Sequence, residues 1–461
     1  MLKNNIKKII TVIIILISLS NVSSLLTTTN AANIAVKSAN IAVKSSSVTM
    51  LASSPIIINA KTYKLNIAGT SDTSAQFQKM INSFPSGASI KLPKGKYKFS
   101  STVKLKDGIK LIASSDVIII GTGKNTLFST GNTNSFQGIE FQNCFTALSV
   151  FQKKGLNVIN CRFTNNISYS AINFYGSRDS SVINSYFYDI RKYGILIDNN
   201  SASITINKNN FNNPKVFGGY SHEQISGHVY CLNGSKIFVT NNIIKNSGGQ
   251  GIIFSYNSTT RKGTTNSVAS NNLCEGNGQE GITTYGGSKK LSNFNTISNN
   301  TSKNNRFNQI EIWQSNYNVV KNNTVDESTP GTGNLGAICL FATTGSAVTG
   351  NKVLSSQTNG IAIVAGTSNC NVSSNIITNT NKKNNRYTPE KGNGILLDWN
   401  GVADPQYITM TNNKISSSKG IIAKSGIYST SNRNHHNKIS GTSTKGYKYG
   451  VHWYALETCG K

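Results

Sequence analysis

Residues Val158–Phe163 read VINCRF, and 24 residues later Val182–Phe187 read VINSYF. Apolar and polar positions alternate in both, so each phrase reads as a short strand with one face inward. The pattern returns as INKNNF (206–211), VTNNII (239–244), VASNNL (268–273), ISNNTS (297–302), VKNNTV (320–325), VTGNKV (348–353), VSSNII (372–377) and MTNNKI (410–415). Its fourth position is Cys161 and Ser185, then Asn209, Asn242, Asn271, Asn300, Asn323, Asn351, Asn375 and Asn413. Successive copies lie 24, 24, 33, 29, 29, 23, 28, 24 and 38 residues apart. Self-similarity at a period of about 20–50 residues marks stacked repeats.

A second phrase, Gly-Ile-x-apolar, precedes these copies by roughly ten to sixteen residues, the reach of one further strand and its bend. It occurs as GILI (194–197), GIIF (251–254), GITT (281–284), GIAI (360–363), GILL (394–397), GIYS (426–429) and GVHW (450–453). Two or three short strands per repeat, with Asn and Gly at the bends, predict an all-β fold. The expected architecture is a single-stranded right-handed parallel β-helix of about twelve turns, each stacked about 4.8 Å above the last. A leucine-rich repeat would need more Leu and a regular period, and a propeller a longer unit of about 40–50 residues. The Asn column is then a ladder, each amide bonding the backbone at the bend and the Asn of the next turn.

Ahead of the repeats, Thr73 and Gln76 fit a capping box, and Phe77, Met80, Ile81 and Phe84 follow helical spacing until Pro85 and Gly87. This helix is expected to close the open end of the rod against edge-to-edge pairing. Upstream, Lys3, Lys7 and Lys8 precede an apolar run from Ile9 to Leu19 and the small-residue stretch Thr29-Asn30-Ala31. That layout predicts a secretory signal peptide (1–31) cleaved after Ala31, and its apolar run is too short to span roughly 30 Å of hydrocarbon. The repeated ANIAVKS at 32–38 and 39–45 opens a low-complexity linker (32–58). The cap and first coils occupy 59–135, and the body of the helix 136–461.

The segment DTSAQFQKMI…ASIKLPKGKYKF resembles the opening of the pectate-lyase-like β-helix superfamily, Asp-Thr-x-Ala-(Ile/Phe)-Gln, a helix, then Pro-x-Gly-x-Tyr. The match falls on Asp72, Thr73, Ala75, Phe77, Gln78, Pro93, Gly95 and Tyr97. Similar proteins include polysaccharide lyases, glycoside hydrolases, uronan epimerases and phage tailspikes, so function has to be argued from a site.

The formal charge is +29, and the signal peptide carries three positive charges and no negative ones, leaving 29 − 3 = +26 after cleavage. Such a charge favours polyanions, and export favours acidic polysaccharides or anionic cell-wall polymers over nucleic acid. No membrane span is expected in the mature chain. The seven cysteines show no CxxC pair, which excludes a zinc module and a disulfide scaffold.

The densest chemistry is YSHEQISGHVY (220–230), with two of the five histidines. Aligning the Gly-Ile strands makes Val229 and Cys231 an inward pair, so His228 and Tyr230 are expected to face outward, beside Asp198 one coil earlier. His222 and Glu223 lie in a connection able to fold over them, and GYSHEQ resembles the Asp-Pro-His-Glu segment of alginate C5-epimerases, with Tyr220 and Ser221 in place of its Asp and Pro. The expected catalytic set is His228, Tyr230, Asp198 and His222, abstracting a C5 proton from a polyuronide as a lyase or C5-epimerase does. Glu223, Tyr175, Arg178, Tyr285, Glu311 and Trp313 are the expected substrate contacts. No metal ligand set is identified, and Ca2+ is expected only where a substrate carboxylate completes its shell. Two alternatives stay open. Glu280 and Glu311 are the nearest pair for a glycoside hydrolase, but at roughly 11 Å by strand geometry they stand slightly beyond the about 5–9.5 Å such a pair spans. A non-catalytic glycan-binding β-helix is the other. Asp326 and Glu327 read as a solvated turn.

Overall fold

The computed structural model describes residues 54–213, 226–328, 335–380, 392–417, 425–430, 435–447 and 449–453. Each coil contributes one strand to a 14-stranded parallel sheet, whose order runs without crossover from Val103–Lys104 to Tyr449–Trp453. These are the Gly-Ile strands. The two short strands of each asparagine phrase add to a second sheet of 28 strands. The result is the expected parallel solenoid, with fourteen coils rather than about twelve, because coils at both ends lack a clear Asn phrase.

Register follows the sequence pattern. Val158 lies beside Val182, and Phe163 beside Phe187. Inward phenyl rings at Phe141, Phe163, Phe187 and Phe211 stack face to face at 5.0, 4.8 and 4.2 Å. All four are fully buried. Parallel in-register coils force identical positions into columns, so one aromatic choice is repeated coil after coil until smaller residues succeed it. Five cysteines (144, 161, 231, 274, 370) are buried free thiols in this core, and a sixth, Cys339, is buried in an outer cluster.

The asparagine ladder is continuous, with one correction. The Asn209 amide N–H donates to Asn242 Oδ1 (2.8 Å), while Asn242 Nδ2 donates to the Ile206 carbonyl (2.9 Å). The chain of bonds continues through Asn272, Asn300, Asn323, Asn351, Asn375 and Asn413. The ladder member in the fifth copy of the phrase is therefore Asn272, not Asn271. Ala269, one place after the apolar Val268, is the inward residue in register with Val239 and Ile297. Asn271 is exposed at φ 56°, the left-handed bend that precedes each ladder residue. The dipeptide Asn-Asn thus divides its work, the first residue turning the chain and the second satisfying it.

At the N-terminus the helix Ser74–Ser83 buries Phe77, Met80 and Ile81 on the first coils. Phe77 meets Phe99 at 5.1 Å and Tyr97 and Phe128 at 6.0 Å. The expected capping box does not form, since Thr73 makes no cap bond and its hydroxyl instead accepts the Asn66 amide. Asp72 replaces it, accepting the amides of Ser74 (3.2 Å) and Ser100 (2.8 Å). Burial pushes its carboxyl upward, but these bonds outweigh that and hold it below the usual range. Lys106 closes the other end, donating to the carbonyls of Asn82 and Phe84 at 2.7 Å. Among the described residues no helix is long and apolar enough to cross a membrane.

Candidate functional site

The outward columns of the Gly-Ile sheet decide what this face can do. One column runs Leu196, Tyr230, Ile253, Thr283, Glu311, Cys339 from coil to coil. A second, two residues further along each strand, holds Tyr175, Asp198, Tyr285, Trp313 and Phe341. Apolar members pack into two outer clusters, one around Tyr193, Leu196, Tyr230 and Ile253, the other around Cys339, Phe341, Ala362 and Leu396. Between them opens a cleft of about 440 Å3 lined by Tyr230, Gln250, Ile253, Gln279, Glu280, Thr283, Tyr285, Phe307, Glu311 and Trp313.

Two of its walls are carboxylates. Glu311 is 7% exposed. Its Oε1 accepts the Asn308 side-chain amide, and its Oε2 stands 3.4 Å from the Thr283 hydroxyl. Burial, and then the charge of Glu280, push its carboxyl well above the ordinary value, against the bonds from Asn308 and Thr283. Glu280 enters from the coil before, just ahead of its strand, where Gln250 Nε2 donates to its Oε2 (3.2 Å). Burial raises its carboxyl as well. Burial raises both carboxyls and the Glu280 charge raises Glu311 further, so the two do not ionise at the same pH. Aromatic faces frame them, with Trp313 stacked on Phe341 at 3.6 Å and Tyr285 beside Tyr256 at 5.6 Å.

His228 is not in this cleft, contrary to the outward orientation expected for it. It is 2% exposed, its ring lies 5.5 Å from core Phe211, and its Nε2 bonds the Lys245 carbonyl at 2.8 Å. A carbonyl only accepts, so Nε2 carries the proton. Burial lowers its pKa to about 4 despite that bond, and the ring is neutral at physiological pH. The reason is positional. His228 stands in the column of Gly194 and Gly251, where the strand leaves the corner and a side chain meets the adjoining sheet. A Cβ at Gly194 would sit 2.9 Å from Phe211, and one at Gly394 only 2.2 Å from Ile415. Any larger residue there folds into the corner, as Gln309 also does, accepting from Asn305 and donating to Glu327.

Tyr230 faces the cleft, 5% exposed and 5.1 Å from the ring of Tyr193. Burial pushes its phenol upward, which makes it a proton donor rather than a base at neutral pH. Asp198 is outward one coil away, in register past Leu196, the residue that faces Tyr230. Its oxygens are occupied by Asn257 Nδ2 (3.0 Å to both) and the Asn199 amide (2.6 Å). Tyr175 stands four coils before Tyr285, roughly 19 Å along the axis, stacked on Phe151 at 5.2 Å. Arg178 lies beyond the corner on the other sheet, paired loosely with Asp179 at 3.8 Å. His222 and Glu223 lie outside the described residues. The structure thus brings together Tyr230, Tyr285, Glu311 and Trp313, and leaves His228, Asp198, Tyr175 and Arg178 elsewhere.

The sequence reading passed over Gln250, Gln279, Phe307 and Asn308, polar and aromatic neighbours of the carboxylates with no motif to mark them. Glu327 is not a solvated turn residue. It is 2% exposed and accepts from Gln309 and the Gln357 amide. Among the described residues no group of three or more His, Cys, Asp or Glu stands close enough to hold a metal ion.

The profile of the right-handed β-helix region matches residues 98–260, 218–325 and 262–444, and the chain belongs to that family. Among solved structures, it is similar to the pre-mature gene product 12 of bacteriophage phi29 (TM-score 0.65, 14% identity), covering 85% of this chain and 56% of that one. It is also similar to the catalytic unit of a GH87 α-1,3-glucanase from Streptomyces thermodiastaticus (TM-score 0.51, 12% identity, 87% and 70% covered). A third is the A-module of the Azotobacter vinelandii mannuronan C-5 epimerase AlgE6 (TM-score 0.50, 14% identity, 84% and 98% covered). At these identities the likeness is one of fold. No curated protein matches the sequence.

Proposed function

We propose that this protein is an exported carbohydrate-active β-helix whose cleft hydrolyses a glycosidic bond, with Glu311 as general acid and Glu280 as its partner. The observation that carries the reading is the pair of glutamates lining one cleft, both with raised carboxyls, Glu311 the more strongly. Being the more strongly raised, Glu311 keeps its proton to the higher pH, the asymmetry between acid and partner that a glycosidase uses. Glu311 gives its proton to the glycosidic oxygen as the C–O bond breaks. Glu280 takes a proton from the water that attacks the anomeric carbon, and solvent restores both groups. Trp313 and Tyr285 supply apolar faces for pyranose rings, and Asn308 orients Glu311.

C5-proton abstraction loses support because His228 is withdrawn into the corner and Tyr230 holds its proton. Incubation with a polysaccharide panel separates the two chemistries. New reducing ends, lost by at least about 100-fold in Glu311→Gln and in Glu280→Gln, are expected. Ultraviolet absorbance of an unsaturated uronide, or epimerised product without new ends, would replace this reading with the lyase or epimerase. Binding alone would leave a glycan-binding module.

A further inference from the structure

The protein carries a formal charge of +29, yet none of the ten described residues lining the cleft is lysine or arginine. Arg306 lies just outside that lining, its guanidinium 5.6 Å from the centre of the Phe307 ring, and Arg191, Arg261, Lys289 and Lys290 are absent from the lining as well. The polar groups of those ten residues are two carboxyls, two amides, a threonine, two tyrosines and the Trp313 indole N–H. A bound uronate would place its own carboxylate among them in a site walled by Trp313, Phe307 and Ile253, where low dielectric amplifies repulsion. Uronan chemistry is further helped by a cation on the sugar carboxylate, and none of the ten described lining residues carries a positive charge. Amides and hydroxyls over aromatic faces suit neutral pyranoses, which present hydroxyls at their rims and C–H groups on their faces.

We infer that the cleft selects an uncharged polysaccharide and excludes polyuronides, whereas the basic exterior attracts polyanions without admitting them. The inference rests on the hydrolytic site above but concerns what binds there, not what is cleaved. It makes two binding modes separable. Cleft binding is apolar and hydrogen-bonded, hence insensitive to salt. Exterior binding is electrostatic and screened.

The test is native affinity electrophoresis of the full chain through gels holding neutral glucans, xylan, galactomannan, polygalacturonate or alginate, at about 0.05 M and about 0.5 M salt. At least one uncharged glycan should retard the protein equally at both salts. Trp313→Ala should weaken that retardation at least about tenfold, with Tyr285→Ala as a second variant should the first misfold. Polyuronide retardation should vanish at high salt and be unchanged by either variant. The double variant Glu280→Gln/Glu311→Gln should newly acquire salt-resistant, Trp313-dependent binding of a polyuronide. Salt-resistant, Trp313-dependent polyuronide binding by the unaltered chain overturns the inference, as does the lack of Trp313-dependent binding to any glycan. A neutral glycan that binds in the cleft and is never cleaved removes hydrolysis and leaves the substrate class standing.

Discussion

At the residue scale the contrast between Glu311 and His228 carries most of the chemistry, because burial acts on them with opposite signs. For Glu311, burial raises the folded pKa above its ordinary 4.5. Its neutral form suits the fold, so this contribution to stability is full below that value and is lost as pH rises towards the folded pKa. Glu311→Gln should therefore raise Tm by about 1–3 °C at pH 8 while leaving it unchanged near pH 4, measured by calorimetry across that range. For His228, burial lowers the pKa from 6.5 to about 4. Here stability is full above 6.5 and falls away as pH drops through 4. A ring that titrates near 6.5 by NMR would return His228 to solvent and reopen its catalytic role. His228→Ala should cost about 1–3 kcal/mol of stability, by leaving a cavity and an unpaired Lys245 carbonyl, without changing glycan affinity.

Elements are held by their bends. Each ladder asparagine satisfies a neighbouring coil's amide and a backbone carbonyl, as Asn272 does for Asn242 and Val239. Removing that side chain strands buried polar groups, so Asn272→Ala should cost about 2–4 kcal/mol in chemical denaturation. Asn271 bends the chain at positive φ and points to solvent, and glycine accepts that conformation freely. Asn271→Gly should change stability by less than about 0.5 kcal/mol. Equal losses in both variants would mean that the ladder runs through the wrong residue. The same element logic explains the failure of the capping box. Two residues at the right spacing propose a cap, but Thr73 finds the Asn66 amide first, and Asp72 reaches both the helix and Ser100.

For the whole molecule, stability spreads along a one-dimensional stack in which each coil supports its neighbours. The ends then matter most, since an uncovered coil presents unpaired strand edges. Phe77 anchors the cap to three coil aromatics. Phe77→Ala should cost about 3–5 kcal/mol and promote self-association, seen by light scattering before any loss of far-ultraviolet signal. Charge also belongs to this scale. The excess of Lys and Arg over Asp and Glu, 46 against 17, sets long-range attraction to polyanions, while the cleft's own ten residues set what is held there.

By itself the sequence determined the solenoid, its period, the inward columns and nearly all of the ladder, because parallel coils repeat one local pattern and each repeat is an independent reading of it. Asn271 was misassigned where Val268 imitated the inward apolar residue and nothing local distinguished it from Ala269. The outward face is less legible. The partner of a side chain there lies on another coil, some 20–40 residues away, and alternation alone does not say whether an outward residue meets solvent or a neighbouring sheet. Only the tertiary structure decided that His228 fills a corner that glycine occupies on the neighbouring coils, and that Glu280 and Glu311 share a cleft. Burial and like charge act through space, and both depend on which coils are stacked.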